Sequence, residues 1–84
     1  MLSLNTIRSH RLAKGWRQSD LAARAACTQS DVSAYERGEV VPELSKALDL
    51  AVALGRRLED VFFGHFEAAC ARVGGRLQAV SIER

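Results

Sequence analysis

Residues 18–37 read QSDLAARAACTQSDVSAYER, and their periodicity sets how the rest of the chain is arranged. Leu21, Ala22 and Ala25 recur at spacings of three and four, the apolar stripe of a short helix opened by Gln18. Thr28 starts a second helix, because its hydroxyl can accept from a backbone N–H two or three residues on. Val32 and Tyr35 form the inward side of that helix. Gln29, Ser30, Ser33, Ala34 and Arg37 point outward, and all are small, amide-bearing or basic. A helix that is apolar on one side and short and hydrogen-bonding on the other suits insertion into a DNA major groove.

Charge supports that orientation. The net charge is only +2, but residues 5–37 carry six basic side chains (Arg8, Arg11, Lys14, Arg17, Arg24, Arg37) against three acidic ones (Asp20, Asp31, Glu36). Residues 38–64 carry three basic against five acidic. The positive half coincides with the two-helix unit, as phosphate binding requires.

Working outward toward the N-terminus, Asn5 is placed to cap a helix ending near Lys14, with Gly15 as its stop. Ile7 and Leu12 are its clearest apolar positions, and His10 reads as half-buried. Trp16 is read as core. Arg17 and Gln18 then stand at a helix start, whose free N–H groups and positive dipole end favour a phosphate. Toward the C-terminus, Pro42 precedes a fourth helix in which Leu44, Ala47, Leu48, Ala51 and Leu54 form the predicted core stripe, ended by Gly55. Leu58, Val61 and Phe62 suggest a short fifth helix. Leu50, Val52 and Phe63 fall off the stripe and are read as a possible subunit contact.

The assembled pattern resembles the helix-turn-helix of the phage-repressor family, of Cro/CI or Xre type. The resemblance runs from Asn5 to Phe62. It is carried by I-R-x-x-R at Ile7 to Arg11, G-W-x-Q-x-x-L-A at Gly15 to Ala22, S-x-V-S-x-Y-E-R-G at Ser30 to Gly38, Pro42, the run Leu44 to Gly55, and L-E-D-V-F at Leu58 to Phe62. The resemblance implies that the helix led by Thr28 is the recognition helix. Base-edge contacts then fall to Gln29, Ser30, Ser33 and Ala34. Backbone contacts fall to Arg17, Gln18, Thr28 and Arg37. Gln29 can bind adenine N6 and N7 together, and Ala34 can touch a thymine methyl. The resemblance also pairs Arg11 with Glu36 as a structural ion pair rather than a reading element, since Glu36 facing DNA would repel phosphate.

Several positions depart from the family. Ala26 stands in the turn where glycine is usual, and a positive φ there strains alanine by about 1 kcal/mol. Cys27 beside it takes a small-aliphatic position, which favours packing over reactivity. Arg17, Glu43 and Arg57 replace hydroxyl caps. Glu39, Val40 and Val41 make the loop after Gly38 acidic and apolar where a basic loop is common, which lowers the expected affinity for DNA.

Eighty-four residues make one domain with a modest core, so dimerisation is expected. Two cysteines, Cys27 and Cys70, and two histidines, His10 and His65, lack metal-ligand spacing, so no metal or cofactor is expected. The sequence has no 18-residue apolar run and no signal-peptide core, which predicts a soluble cytoplasmic chain. It also has no Gly-rich phosphate loop and no nucleophile–base set, which argues against an enzyme.

The expectation is therefore an all-α, five-helix, lambda-repressor-like DNA-binding domain over residues 1–63. Residues 64–84 form a C-terminal extension for dimerisation or partner binding, and a β-hairpin and a helix are both open for it. The expected function is a homodimeric repressor on a palindromic operator in double-stranded DNA. The alternative is the antitoxin of a toxin–antitoxin pair, masking its toxin partner through the extension.

Overall fold

A computed structural model describes residues 5–74. Six helices follow one another among the described residues: α1 (Ile7–Ala13), α2 (Gln18–Arg24), α3 (Gln29–Arg37), α4 (Leu44–Leu54), α5 (Leu58–Val61) and α6 (Phe63–Arg72). The first five are the expected set. The sixth resolves the near part of the extension as helix. The possible strand at residues 76–82 lies outside the described residues.

The core forms where the apolar sides of the first five helices meet. Ile7, Leu21, Val32, Leu50, Leu54 and Val61 are fully buried, with Ala22, Ala25, Ala47, Ala51 and Phe62 around them. Burying a side chain of Leu or Ile size contributes about 1.5–3 kcal/mol, so this small set holds the domain. Trp16, Cys27, Tyr35 and Leu58 pack against it while half-buried. Trp16, expected in the core, thus sits at its edge. Its other contacts are cationic: the Arg24 guanidinium lies 4.2 Å and Lys14 Nζ 5.4 Å from the ring centre, and aromatic faces attract such charges.

The start of α1 is tied to distant elements. Asn5 Oδ1 accepts from the Ile7 N–H at 3.1 Å, so Asn5 does cap the helix, although Thr6 is the flanking residue. Asn5 Nδ2 also donates to the Tyr35 carbonyl at the end of α3, at 2.8 Å. The Thr6 N–H and hydroxyl both donate to the Val61 carbonyl, at 2.8 and 3.1 Å. One dipeptide thus fixes α1 to α3 and to α5.

Two stripes differ from the sequence reading. Leu12 is 54% exposed, and the buried position on that side of α1 is Arg11. An arginine can take such a place because its partner Glu36 is buried with it. In α4, Leu44 and Leu48 are exposed and Leu50 is fully buried. The helix is apolar on more than one side, so periodicity did not fix its rotation. Packing against α1, α2 and α5 buries Ala47, Ala51 and Leu54 of the expected stripe, with Leu50 in place of Leu44 and Leu48. Leu44, Leu48 and Val52 are left as an exposed row at spacings of four. Beside its N-terminal end, Val41, Leu44, Leu58, Phe62 and Phe66 line an open apolar groove of about 410 Å³.

Candidate nucleic-acid interface

The turn between α2 and α3 decides how the outer helix is presented. Ala26 sits there at φ 57°, the one positive-φ non-glycine among the described residues. The Cys27 N–H donates to the Ala22 carbonyl at 2.9 Å, closing the end of α2. Lys46 of α4 adds a clamp that the sequence reading missed. Its Nζ donates to the Ala25 carbonyl at 2.7 Å and to the Ala26 carbonyl at 3.0 Å, and pairs with Asp49 at 3.1 Å. A cation on these terminal carbonyls also meets the negative end of the α2 dipole. No sequence signal marks Lys46, because its partners are main-chain oxygens about twenty residues earlier. Burial raises the pKa of the Cys27 thiol next to the turn, as fits a packing residue.

The starts of α2 and α3 are held by different devices. Thr28 Oγ1 accepts from the Asp31 N–H, and the Asp31 carboxylate accepts from the Thr28 N–H, both at 3.1 Å. This reciprocal pair satisfies two N–H groups at the start of α3. At α2 only half of such a box exists. Asp20 Oδ2 accepts from the Arg17 N–H at 2.8 Å, while arginine offers no acceptor in return. The same bond lowers the Asp20 pKa from its ordinary range.

Behind α3 lies a continuous polar chain. Arg11 donates to both Glu36 oxygens, Nε to Oε2 at 2.6 Å and Nη2 to Oε1 at 3.1 Å. Its remaining Nη1 donates to the Trp16 carbonyl at 2.8 Å. The two side chains are 8% and 4% exposed. This bidentate pair raises the Arg11 pKa above its ordinary value. Gln18 Nε2 also donates to Glu36 Oε1, at 3.0 Å, and Gln18 Oε1 accepts from Gln29 Nε2 at 2.5 Å. A buried ion pair is thereby linked, through one half-buried amide, to the first exposed side chain of α3.

The outward side of α3 is short and polar. Gln29, Ser30 and Arg37 are exposed, and Ser33 and Ala34 are half-buried. Thr28 and Arg17 are exposed at the starts of α3 and α2. The eight candidate DNA-contact residues therefore share one region spanning the start of α2 and the length of α3. At its far end, Arg37 Nη1 donates to Ser33 Oγ, and the same guanidinium makes a two-point pair with Glu39, both bonds at 2.9 Å. The sequence reading did not foresee that pair. No cluster of three or more His, Cys, Asp or Glu fit to hold a metal occurs among the described residues. No described helix is long and apolar enough to cross a membrane.

Two helices joined by a strained turn, with the second capped, backed by an ion pair and polar outward, define a helix-turn-helix unit. Comparison with known proteins agrees. A family described as a helix-turn-helix domain matches residues 5–61. An uncharacterized HTH-type transcriptional regulator of Methanothermobacter thermautotrophicus is 42% identical over 57 residues, covering 67% of this chain and 83% of that protein. The uncharacterized HTH-type transcriptional regulator YgzD of Bacillus subtilis is 34% identical over 59 residues, covering 70% and 89%. Among solved structures, the hypothetical transcription factor NHTF from Neisseria superposes with a TM-score of 0.64 at 33% identity, covering 68% of this chain and 66% of that one. About a third of NHTF thus lies outside the match. The chain belongs to the Xre-like helix-turn-helix family of DNA-binding transcriptional regulators.

Proposed function

We propose that this protein is a sequence-specific repressor that binds a palindromic operator as a homodimer. Gln29, Ser30, Ser33 and Ala34 meet base edges in the major groove, and Arg17, Gln18, Thr28 and Arg37 meet the phosphate backbone. The observation that carries this reading is the outward side of α3, where an amide and two hydroxyls stand on a helix pinned from behind by Arg11 and Glu36. Base reading requires such fixed geometry, since each good bidentate contact discriminates by about 1–3 kcal/mol only when correctly aimed.

Residues 1–63 act as the DNA-binding unit in this reading, and residues 64–84 extend the subunit contact. The exposed row Leu44, Leu48 and Val52, with exposed Phe63 and Phe66 on α6, favours a protein-covered surface there. A two-fold axis through that surface would repeat the reading helix in the partner, which matches a palindrome. The apolar groove by Phe66 also suits the alternative, in which a toxin takes the place of the second copy. The repressor acts by occupying its site and excluding polymerase. Its place of action is the cytoplasm, where the DNA is.

Footprinting and salt titration on selected DNA test the reading together. The expected result is a two-fold symmetric protected site with affinity falling steeply as salt rises. Salt-insensitive binding, or an asymmetric single half-site bound by a monomer, would refute the dimeric operator model.

A further inference from the structure

The loop just after α3 carries an acidic side chain, Glu39, where an interface with phosphate needs positive charge. Gly38, at φ 76°, ends the helix in the left-handed conformation. The chain turns back, and the Glu39 N–H donates to the Ala34 carbonyl at 3.0 Å. This reversal returns the Glu39 carboxylate to Arg37. Its two oxygens accept from Arg37 Nε and Nη2 at 2.9 Å each, while Nη1 is bonded to Ser33 Oγ. The donors that would form a two-point contact with a phosphate already hold a carboxylate of similar geometry. Charge follows the same logic, because a paired guanidinium presents almost no net charge to DNA and displaces few counterions. Both side chains remain more than half exposed, so the pair can open. The Arg37 pKa is raised and that of Glu39 lowered by their mutual bond, so the pair stays charged at neutral pH.

We propose that Glu39 competes internally with DNA phosphate for the Arg37 guanidinium, and so sets how tightly the interface grips DNA regardless of sequence. The proposal rests on the DNA-interface reading above and deepens it. It assigns Glu39 a negative contribution at a position where no base contact is made. The consequence is a lower background of non-specific binding, against which base reading by Gln29 stands out.

The test uses four full-length proteins: wild type, Glu39→Gln, Arg37→Met and the double variant. Each is titrated with a fluorescein-labelled duplex of arbitrary sequence across a salt series, after thermal melts establish that all four are folded. Glu39→Gln is expected to bind about two- to fivefold more tightly at low salt, on the scale of an exposed ion pair. Its log–log salt slope is expected to steepen by about 0.9 per protomer, one phosphate's worth. Arg37→Met is expected to weaken wild-type binding, but by clearly less than it weakens the Glu39→Gln background, where it abolishes the whole gain. Equal losses from Arg37→Met in both backgrounds would overturn the proposal, because Glu39 would then act only as a repelling charge. An unchanged affinity and slope in Glu39→Gln would overturn it too. If none of the four binds duplex DNA while all melt cooperatively, the interface reading itself fails and this inference falls with it.

Discussion

Arg11 and Glu36, twenty-five positions apart, form a two-point ion pair at 2.6 and 3.1 Å with both side chains more than nine-tenths buried. The pair joins α1 to α3, and Gln18 extends it to Gln29. Removing one partner leaves a buried charge alone, at a cost of about 3–5 kcal/mol. Glu36→Ala is therefore expected to lower unfolding free energy by that amount in urea titration, with DNA binding lost as a consequence. The double variant Arg11→Met, Glu36→Leu should recover most of the loss. A double variant that is less stable than Glu36→Ala would contradict the account.

The turn offers a second test. Ala26 is held at φ 57°, a region open to glycine and costly for other residues. Ala26→Gly is expected to stabilise the protein by about 0.5–1 kcal/mol, the relief of left-handed strain offset in part by glycine's freedom when unfolded. Lys46→Met removes the donor from two carbonyls of that turn and is expected to cost about 1–3 kcal/mol. Thermal melts of both variants decide this, and an Ala26→Gly protein that melts lower than wild type would refute the strain argument.

The rotation of α4 is equally open to measurement. Leu50 is fully buried and Leu48 is 44% exposed. Leu50→Ala is expected to cost about 2–5 kcal/mol, whereas Leu48→Ala should cost less than about 1 kcal/mol in the monomer. Equal costs would mean that the helix presents a different side to the core.

These contrasts mark what the sequence could say. The two motif helices were legible because Leu21, Ala22, Ala25 and Val32 leave one phase for burial and Thr28 marks a start. In α4, apolar residues at 44, 47, 48, 50, 51, 52, 53 and 54 allow several phases, and contact with α1, α2 and α5 selects one. Leu12 misled because Arg11, the buried member of that turn, looks polar until its partner is known. Lys46 and Glu39 act through the backbone and through a glycine-turned loop, neither of which leaves a side-chain pattern to read. On α3, the exposure of Gln29, Ser30 and Arg37 was legible, while Ser33 and Ala34 are half-buried. The chain of bonds running from Arg11 through Glu36 and Gln18 to Gln29 was visible only as its first pair.

Acid should loosen the start of α2. Asp20 accepts from the Arg17 N–H, and that bond depresses its pKa. A carboxyl group with a folded pKa below its unfolded value contributes stability above the unfolded value, about pH 4, and loses it as pH falls through the folded one. Asp20→Asn is therefore expected to melt below wild type at neutral pH, with the gap closing as pH drops below about 4. A gap that stays constant into acid would show that the carboxylate's charge plays no part.

Selection of bound sequences from a random duplex pool, run in parallel with wild type and Gln29→Ala, tests the central claim most directly. Wild type is predicted to enrich a two-fold symmetric site with half-sites about 10 base pairs apart between centres. Gln29→Ala, with an unchanged thermal melt, is predicted to keep that symmetry and lose preference at one position in each half, worth about 1–3 kcal/mol on the wild-type site. Enrichment of no sequence by wild type, or an identical motif from both proteins, would contradict the assignment of base reading to the outward side of α3.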